Sequence, residues 1–501
     1  MAREGSNIIT FKEAGVLLPP DEQLYLLPLL QPKKKGKAPL DRLPQGAAAA
    51  SSKRIAFTTQ DDSGRSIDWT ASTHVFPSAY PRSHYASTAP PSSCPPEVDV
   101  NRAKQDRTAE RESRKVDLEL WSEMSQTYSV ESFYPPSSEE EAQRLAENLL
   151  DGRQPQLWSC IERLVPSKPV NDGITLFLAH ANGFHKEIYE PVTQDLINNL
   201  TKQGKGSPQI SEVWSIDTFN SGDSAALNRG NLGQATSWFD HPRDMLQFLD
   251  FYLPELYADD LPTLLEAHSK GTTRNSRCMV GIAHSFSGAG MLMLNSIHSD
   301  YFEGLIIIDP VGHPLHSLSR EPVPKVNILA QGAVARKDVF PNRKAAADYL
   351  NTKPFFQAWD PRVVDVHVKY GFRAVHDYEK EKDPPVTLCM SKWSEALAFS
   401  TSFIGAFGNA SVKRSKFKGW AHLICTGDGA ASFIFGPEGE DSKELQENFE
   451  KYFSTTGRAT SEVAPGGHLI VQEQPQKMGA RIAQLITRYS KAKQPASRSR
   501  L

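Results

Sequence analysis

The feature that most limits how this chain can fold is a run of small residues at an abrupt change of periodicity. Residues 279–283 form an apolar run that reads as a buried strand, and Gly288, Ala289 and Gly290 open what reads as a helix. Between them stands Ala283-His284-Ser285-Phe286-Ser287-Gly288. A strand can pass into a helix within so tight a turn only if the residues two before and two after its apex are small. Larger side chains there would strike the neighbouring strand and helix. Ala283 and Ser287 meet that need where glycine is the commoner choice. The apex, Ser285, is thereby presented as a candidate nucleophile.

The rest of the chain repeats the alternation of strand and helix. Strands are expected near residues 68–76, 117–130, 174–179, 213–217, 279–283, 303–308, 423–426 and 460–463. Helices are expected at 190–200 and 242–253, and a last one carries Met478, Ile482, Leu485 and Tyr489 on one face. Such alternation implies an α/β fold with a mostly parallel central sheet flanked by helices. Residues 315–418 read as mostly helical and interrupt it, as a helical lid would. The expected organisation is a disordered extension over 1–53 and a first core part over 54–314, with a mobile loop at 89–115. The lid follows at 315–418, then a second core part at 419–490 and an exposed tail at 491–501. Residues 139–153 suit a short surface helix.

Composition excludes some classes. The 501 residues carry a formal net charge of −3, without the basic field of a nucleic-acid binder. No apolar run approaches the ~18 residues a membrane span needs. Residues 24–30 are apolar but broken by Pro28, a poor signal peptide. The five cysteines are widely spaced with no CxxC pair, so free thiols are expected rather than disulfides or a zinc ribbon. No phosphate-binding or dinucleotide-binding glycine motif is present, and no cofactor is expected.

Other residues suit partnership with Ser285. Residues 174–179 run into His180-Ala181-Asn182-Gly183-Phe184. A small residue and a glycine there let the backbone approach a ligand closely. Asn182 is the preferred oxyanion donor of this loop and Gly183 the alternative, with the Phe286 N–H as the second donor. His180 and His185 lack metal-binding spacing, so no metal site is expected and His180 reads as a residue that fixes the loop. Gly466-Gly467-His468 precedes the last helix, and a histidine in so open a loop can reach the serine as general base. For the acid that orients it, Asp309 follows the strand next after the serine, and Asp428 follows the later strand at Thr426-Gly427. Asp309 is preferred and Asp428 stays open.

Together these residues resemble the α/β-hydrolase superfamily. More narrowly they resemble fungal peroxisomal hydrolases of the host-selective-toxin-biosynthesis type, related to a yeast peroxisomal lipase. The blocks carrying the resemblance are His180 through Pro191, Asp217 through Ala225 and Trp238-Phe239-Asp240-His241, with Phe355 through Arg362, Ala283-His284-Ser285 and Gly466-Gly467-His468. The resemblance implies an α/β-hydrolase fold with a helical lid, and a Ser-Asp-His triad cleaving a fatty-acyl or secondary-metabolite ester or thioester through an acyl-enzyme. The elbow residues Ala283 and Ser287 depart from the usual pair of glycines.

The last residues, Ser499-Arg500-Leu501, resemble the Ser-Lys-Leu peroxisomal address. They imply a peroxisomal location and an import receptor as partner, beside a small-molecule acyl substrate. Phe355, Phe356, Phe399, Phe403 and Phe407 suit either an acyl chain or the core of a lid. Two other readings stand. A non-catalytic binding protein of this fold would have Ser285 buried, or neither aspartate reaching His468. A triad enzyme performing C–C cleavage or cyclisation is indistinguishable by sequence.

Overall fold

The computed structural model describes residues 8–9, 38–43, 53–83, 85–88, 117–126, 154–233, 235–255, 257, 260–269, 277–312, 323–324, 326–375, 379–428, 440–454 and 457–491. Its centre is a nine-stranded sheet. In chain order the strands are β1 (Arg54–Gln60), β2 (Ser66–Pro77), β3 (Trp158–Pro166), β4 (Ile174–Ala179), β5 (Ile210–Ile216), β6 (Cys278–His284), β7 (Gly304–Ile308), β8 (Trp420–Asp428) and β9 (Arg458–Gly467). Across the sheet they run β9-β8-β7-β6-β4-β5-β3-β2-β1. β1, β2 and β3 pair antiparallel, β3 meets β5 antiparallel, and every pairing from β5 to β9 is parallel.

The parallel strands are apolar on both faces because helices cover both. Leu176 and Leu178 of β4 join one core, and Phe177 and Ala179 the other. The helices Glu190–Lys202 and Pro475–Lys491 complete the first, the latter through Met478, Ile482, Leu485 and Tyr489 as its spacing predicts. Asp240–Phe251, Phe286–Ile297 and Glu440–Phe453 cover the opposite face. β5 lies on one side of β4 and β6 on the other, so the chain reverses its winding at β4. Crevices at such reversals, at the carboxyl ends of the strands, are where ligands bind in open α/β sheets.

Several expectations are corrected. Residues 117–126 are a helix, not a strand. Leu118, Trp121, Ser122 and Ser125 are buried at helical spacing, and the Trp121 ring packs edge-on against Trp393 at 5.2 Å. The 1–53 extension is not uniformly loose. Ile8–Ile9 pairs with Val323–Pro324, and Leu40–Arg42 is a 3-10 turn with Ala38 and Leu43 buried beside it. Arg42 donates from Nη1 to the carbonyls of Leu227 and Arg229. The loop 89–115, the helix at 139–153 and Ser499, Arg500 and Leu501 lie outside the described residues.

The excursion between β7 and β8 mixes helices with a small antiparallel sheet. Helices include Ile328–Ala335, Arg343–Asn351, Pro361–Tyr370 and Lys392–Ser400, and the sheet joins Val339–Phe340, Val386–Leu388 and Phe372–Ala374. It docks on the core at defined points. His367 stacks on His185 with ring centres 5.5 Å apart, Phe184 meets Trp359 at 5.5 Å, and Arg362 pairs with Asp195 at 2.8 Å. Where the chain returns, Gly405 lies so close to the Val311 carbonyl that a Cβ would collide with it.

Candidate active site

Ser285 sits at the apex between β6 and the helix Phe286–Ile297 with φ 58° and ψ −121°. This backbone region is costly for a side-chain-bearing residue and persists only where the surroundings impose it. Here they do. The Ser285 N–H donates to the Ile308 carbonyl at 2.9 Å, and its own carbonyl accepts from Val311 and Ala289 at 3.2 Å each. The apex is thus clamped to the end of β7.

Asp309 follows at that end, also left-handed at φ 37°. Its N–H donates to the Ile424 carbonyl and its Oδ1 accepts from the Thr426 N–H at 2.9 Å. Its Oδ2 lies 2.6 Å from His468 Nδ1, and His468 Nε2 lies 2.8 Å from Ser285 Oγ. Residues 285, 309 and 468, far apart in sequence, form one hydrogen-bonded line. Burial alone would raise the Asp309 carboxyl, but the His468 hydrogen bond and charge, with the Thr426 N–H, hold it below its usual value. Asp428 closes β8, its backbone paired with Gly467. Ser285 itself is only 4% exposed.

The loop 180–184 leaves the end of β4 beside this line. The Ala181 carbonyl accepts from the His180 ring at Nδ1, 2.8 Å away, and from the Phe184 N–H at 3.3 Å. A peptide is planar, so fixing that carbonyl aims the Asn182 N–H the opposite way. The Asn182 side chain donates to the Glu395 carbonyl at 3.2 Å. Gly183 adopts φ 87°, and a Cβ on it would lie 2.9 Å from the Glu395 carboxylate, itself paired with Arg336. The Phe286 N–H, first in its helix, has no intrahelical acceptor. The helix Lys392–Ser400 therefore overlies the same loop that carries Asn182 and Gly183.

The structure also gives side-chain partners to residues that the sequence offered only as small turn residues or as members of a resembling block. Ser287 Oγ donates to the His180 carbonyl and lies 2.8 Å from His241 Nε2. His284 Nε2 lies 2.7 Å from the His468 carbonyl. Burial pushes both His241 and His284 down to about 3. Of the aromatics offered for an acyl chain, Phe403 and Phe407 are buried, and Phe407 packs edge-on against Phe239 at 6.0 Å. Phe355 meets Trp359 at a tilt and Phe356 meets it edge-on where the excursion docks, and Phe355 is largely exposed. No group of His, Cys, Asp or Glu arranged to hold a metal ion occurs among the described residues.

The strand order, with a serine at the strand-to-helix turn after β6, defines the α/β-hydrolase fold, and this chain has it. No protein-family model matches the chain. Among curated proteins it is similar to the type I acyl-CoA thioesterase mpaH of Penicillium roqueforti, at 29% identity over 245 residues, 45% of this chain and 50% of that protein. The chain thus spans about half the length of that relative. It is also similar to the peroxisomal membrane protein LPX1 of Saccharomyces cerevisiae, at 25% identity over 321 residues, 62% of this chain and 74% of that protein. An abhydrolase domain-containing protein of Alternaria alternata, AFT2-1, shares 23% identity over 42% of this chain and 82% of its own length. Among solved structures, the peroxisomal alpha-beta-hydrolase Lpx1 of S. cerevisiae overlays with a TM-score of 0.51 at 20% identity, covering 69% of this chain and 86% of that one.

Proposed function

We propose that the protein is a serine hydrolase that cleaves an ester or thioester of a small acyl substrate through a Ser285–His468–Asp309 triad. The observation that carries this reading is the hydrogen-bonded line of 2.8 Å from Ser285 Oγ to His468 Nε2 and 2.6 Å from His468 Nδ1 to Asp309. Ser285 Oγ attacks the acyl carbon while His468 Nε2 takes its proton. The N–H groups of Phe286 and Asn182 donate to the oxyanion that forms, with Gly183 as the alternative on the loop. Collapse expels the alkoxide or thiolate, which receives the proton from His468. Water activated by His468 then releases the acid from the acyl-enzyme. Asp309, rather than Asp428, holds the imidazole and balances its charge. The excursion over 315–418 acts as the lid.

The acyl class draws on the similarity to a protein described as an acyl-CoA thioesterase. A peroxisomal location, reached through an import receptor that reads Ser499-Arg500-Leu501, is supported by those residues and by the likeness to peroxisomal Lpx1. A second reading, a binding protein of this fold, is favoured by one observation, the low exposure of Ser285. Fluorophosphonate labelling separates the two. Labelling of the wild type but not of Ser285→Ala establishes an activated serine, and an unlabelled wild type hands the weight to the binding reading.

A further inference from the structure

At position 287 the turn requires only a small residue, and glycine would serve. The chain has serine, and its hydroxyl does something the turn does not need. Ser287 is wholly buried, and its single proton is directed at the His180 carbonyl, the first residue beyond β4. With that proton committed, its oxygen can only accept from His241, so the buried imidazole carries its hydrogen on Nε2, 2.8 Å away. The chain of donors is therefore fixed in direction, from His241 to Ser287 to the His180 carbonyl. Nδ1 of His241 has no partner among the described residues, as expected of a ring held neutral by burial.

The same imidazole also packs on the residue after the serine. Its ring stacks on Phe286 with centres 5.0 Å apart and an angle of 23°. Trp238 also meets Phe286, edge-on at 4.6 Å, and donates from Nε1 to the Ala398 carbonyl at 2.9 Å. The two backbone donors assigned to the oxyanion lie on segments from different strands, the loop after β4 and the helix after β6. Their separation must hold to a fraction of an ångström if both are to reach one oxygen.

We infer that Ser287 and His241 are positioning residues that tether the 180–184 loop to the start of the Phe286–Ile297 helix and so set the spacing of the two oxyanion donors. The hydroxyl fixes the peptide between His180 and Ala181, and the ring fixes Phe286 by stacking. This rests on the hydrolase reading, because spacing matters only if an oxyanion is bound. Neither residue touches the substrate.

The test uses the full chain as wild type, Ser287→Ala, Ser287→Gly and His241→Ala. Four readouts are taken: kcat and KM on p-nitrophenyl butyrate, affinity for phenylboronic acid as a tetrahedral mimic, fluorophosphonate labelling rate, and amide hydrogen exchange in residues 180–184. Ser287→Ala keeps the turn small and removes only the hydroxyl. Its kcat and boronate affinity are expected to fall together by about 10- to 100-fold with KM within about threefold, and loop exchange to rise. Ser287→Gly should behave alike, and a double variant with His241→Ala should lose little more than either single one. Wild-type kcat, boronate affinity and loop exchange in both Ser287 variants, beside a reactive wild type, overturn the tether. An inert wild type whose loop still loosens in Ser287→Ala overturns the hydrolase reading and keeps the tether as a structural link. Variants that fold less well but lose KM and kcat without that split also overturn it.

Discussion

His284 Nε2 donates to the carbonyl of His468 at 2.7 Å, while the next residue, Ser285, meets the Nε2 of the same histidine at 2.8 Å. Two consecutive residues at the end of β6 thus hold both the backbone and the ring of one residue in the loop after β9. The grip requires a hydrogen on His284 Nε2; burial keeps the ring neutral by pushing it down to about 3, with the neighbouring His468 acting in the same direction, so this is the tautomer present. Its ring centre is 5.0 Å from that of His468.

Removing that grip should misplace the base without touching the substrate. His284→Ala is expected to lower kcat by about tenfold or more with little change in KM. His284→Gln, which retains a donor of similar reach, should recover part of the loss. Steady-state kinetics on a p-nitrophenyl ester decides it, and an unchanged kcat in His284→Ala would remove His284 from the site.

The two aspartates should separate cleanly. Asp309 accepts from both His468 and Thr426, so Asp309→Asn is expected to slow fluorophosphonate labelling by roughly 10³- to 10⁴-fold. Asp428→Asn should leave the labelling rate within about threefold of wild type. The reverse outcome would transfer the acid's role to Asp428.

Gly183 combines a left-handed backbone with a crowded neighbour. A methyl there would be strained at φ 87° and would press on the Glu395 carboxylate at 2.9 Å. Gly183→Ala should therefore destabilise the fold by roughly 1–3 kcal/mol. The loss is measurable by urea denaturation, and it should be accompanied by slower labelling because Asn182 moves with the loop. Neutral stability in this variant would show that the helix Lys392–Ser400 does not press on the loop.

The buried imidazoles should make a contribution to stability that is lost on mild acidification. Burial pushes His74 and His180 down to about 4, and His241 and His284 to about 3. The folded protein keeps these rings neutral, while an unfolded chain protonates them below about pH 6.5. From about pH 6.5 down to each folded value the unfolded state binds more protons at these rings, so their contribution to stability declines as the pH drops through that window. Burial raises the Asp217 carboxyl to about 7, which acts in the opposite sense, so the test isolates one ring. The unfolding free energy of His74→Gln should fall less steeply than that of wild type between about pH 6.5 and 4, by about 1 kcal/mol per pH unit, and run parallel to it above about pH 7.5. Parallel curves down to about pH 5 would mean that the His74 ring is protonated in place.

How much of this could be read beforehand depended on whether polarity followed burial. β4, β6 and β7 are nearly unbroken apolar runs, and their positions were legible within a residue or two. β3 was not, because Glu162 and Arg163 interrupt it. The fold buries both as ion pairs, Glu162 with Arg54 and Arg163 with Glu212 at 2.8 Å. Residues 117–126 were misread as a strand because their apolar positions alternate locally. Their burial pattern is set by Trp393 and Leu397, nearly three hundred residues further on. Ser285 and His468 stand at turns with their own glycine and small-residue signature, so the sequence marks both as candidates, and the fold brings them within 2.8 Å. Asp309 and Asp428 both follow strands, so local pattern leaves both open, and the 2.6 Å approach of the Asp309 carboxylate to His468 is a tertiary fact that no local pattern encodes. Ser287 was visible as a small residue. Its hydroxyl acquired meaning only once His180 and His241, from two other elements, were placed around it.

The near-contact of Gly405 with Val311 has a consequence for how such a protein can change over generations. The chain leaves the core just after Asp309 and comes back to almost the same point ninety-odd residues later. Whatever lies between is a closed detour, and lengthening or shortening it adds only slowly growing entropy while the register of β7 against β8 is held by its own ladder. Mutation can therefore rebuild that detour in large steps. Ser285, Asp309 and His468 stand at the ends of sheet strands, whereas the loop that carries Asn182 leans on Glu395 of the detour, so the two halves of the crevice are free to diverge at different speeds.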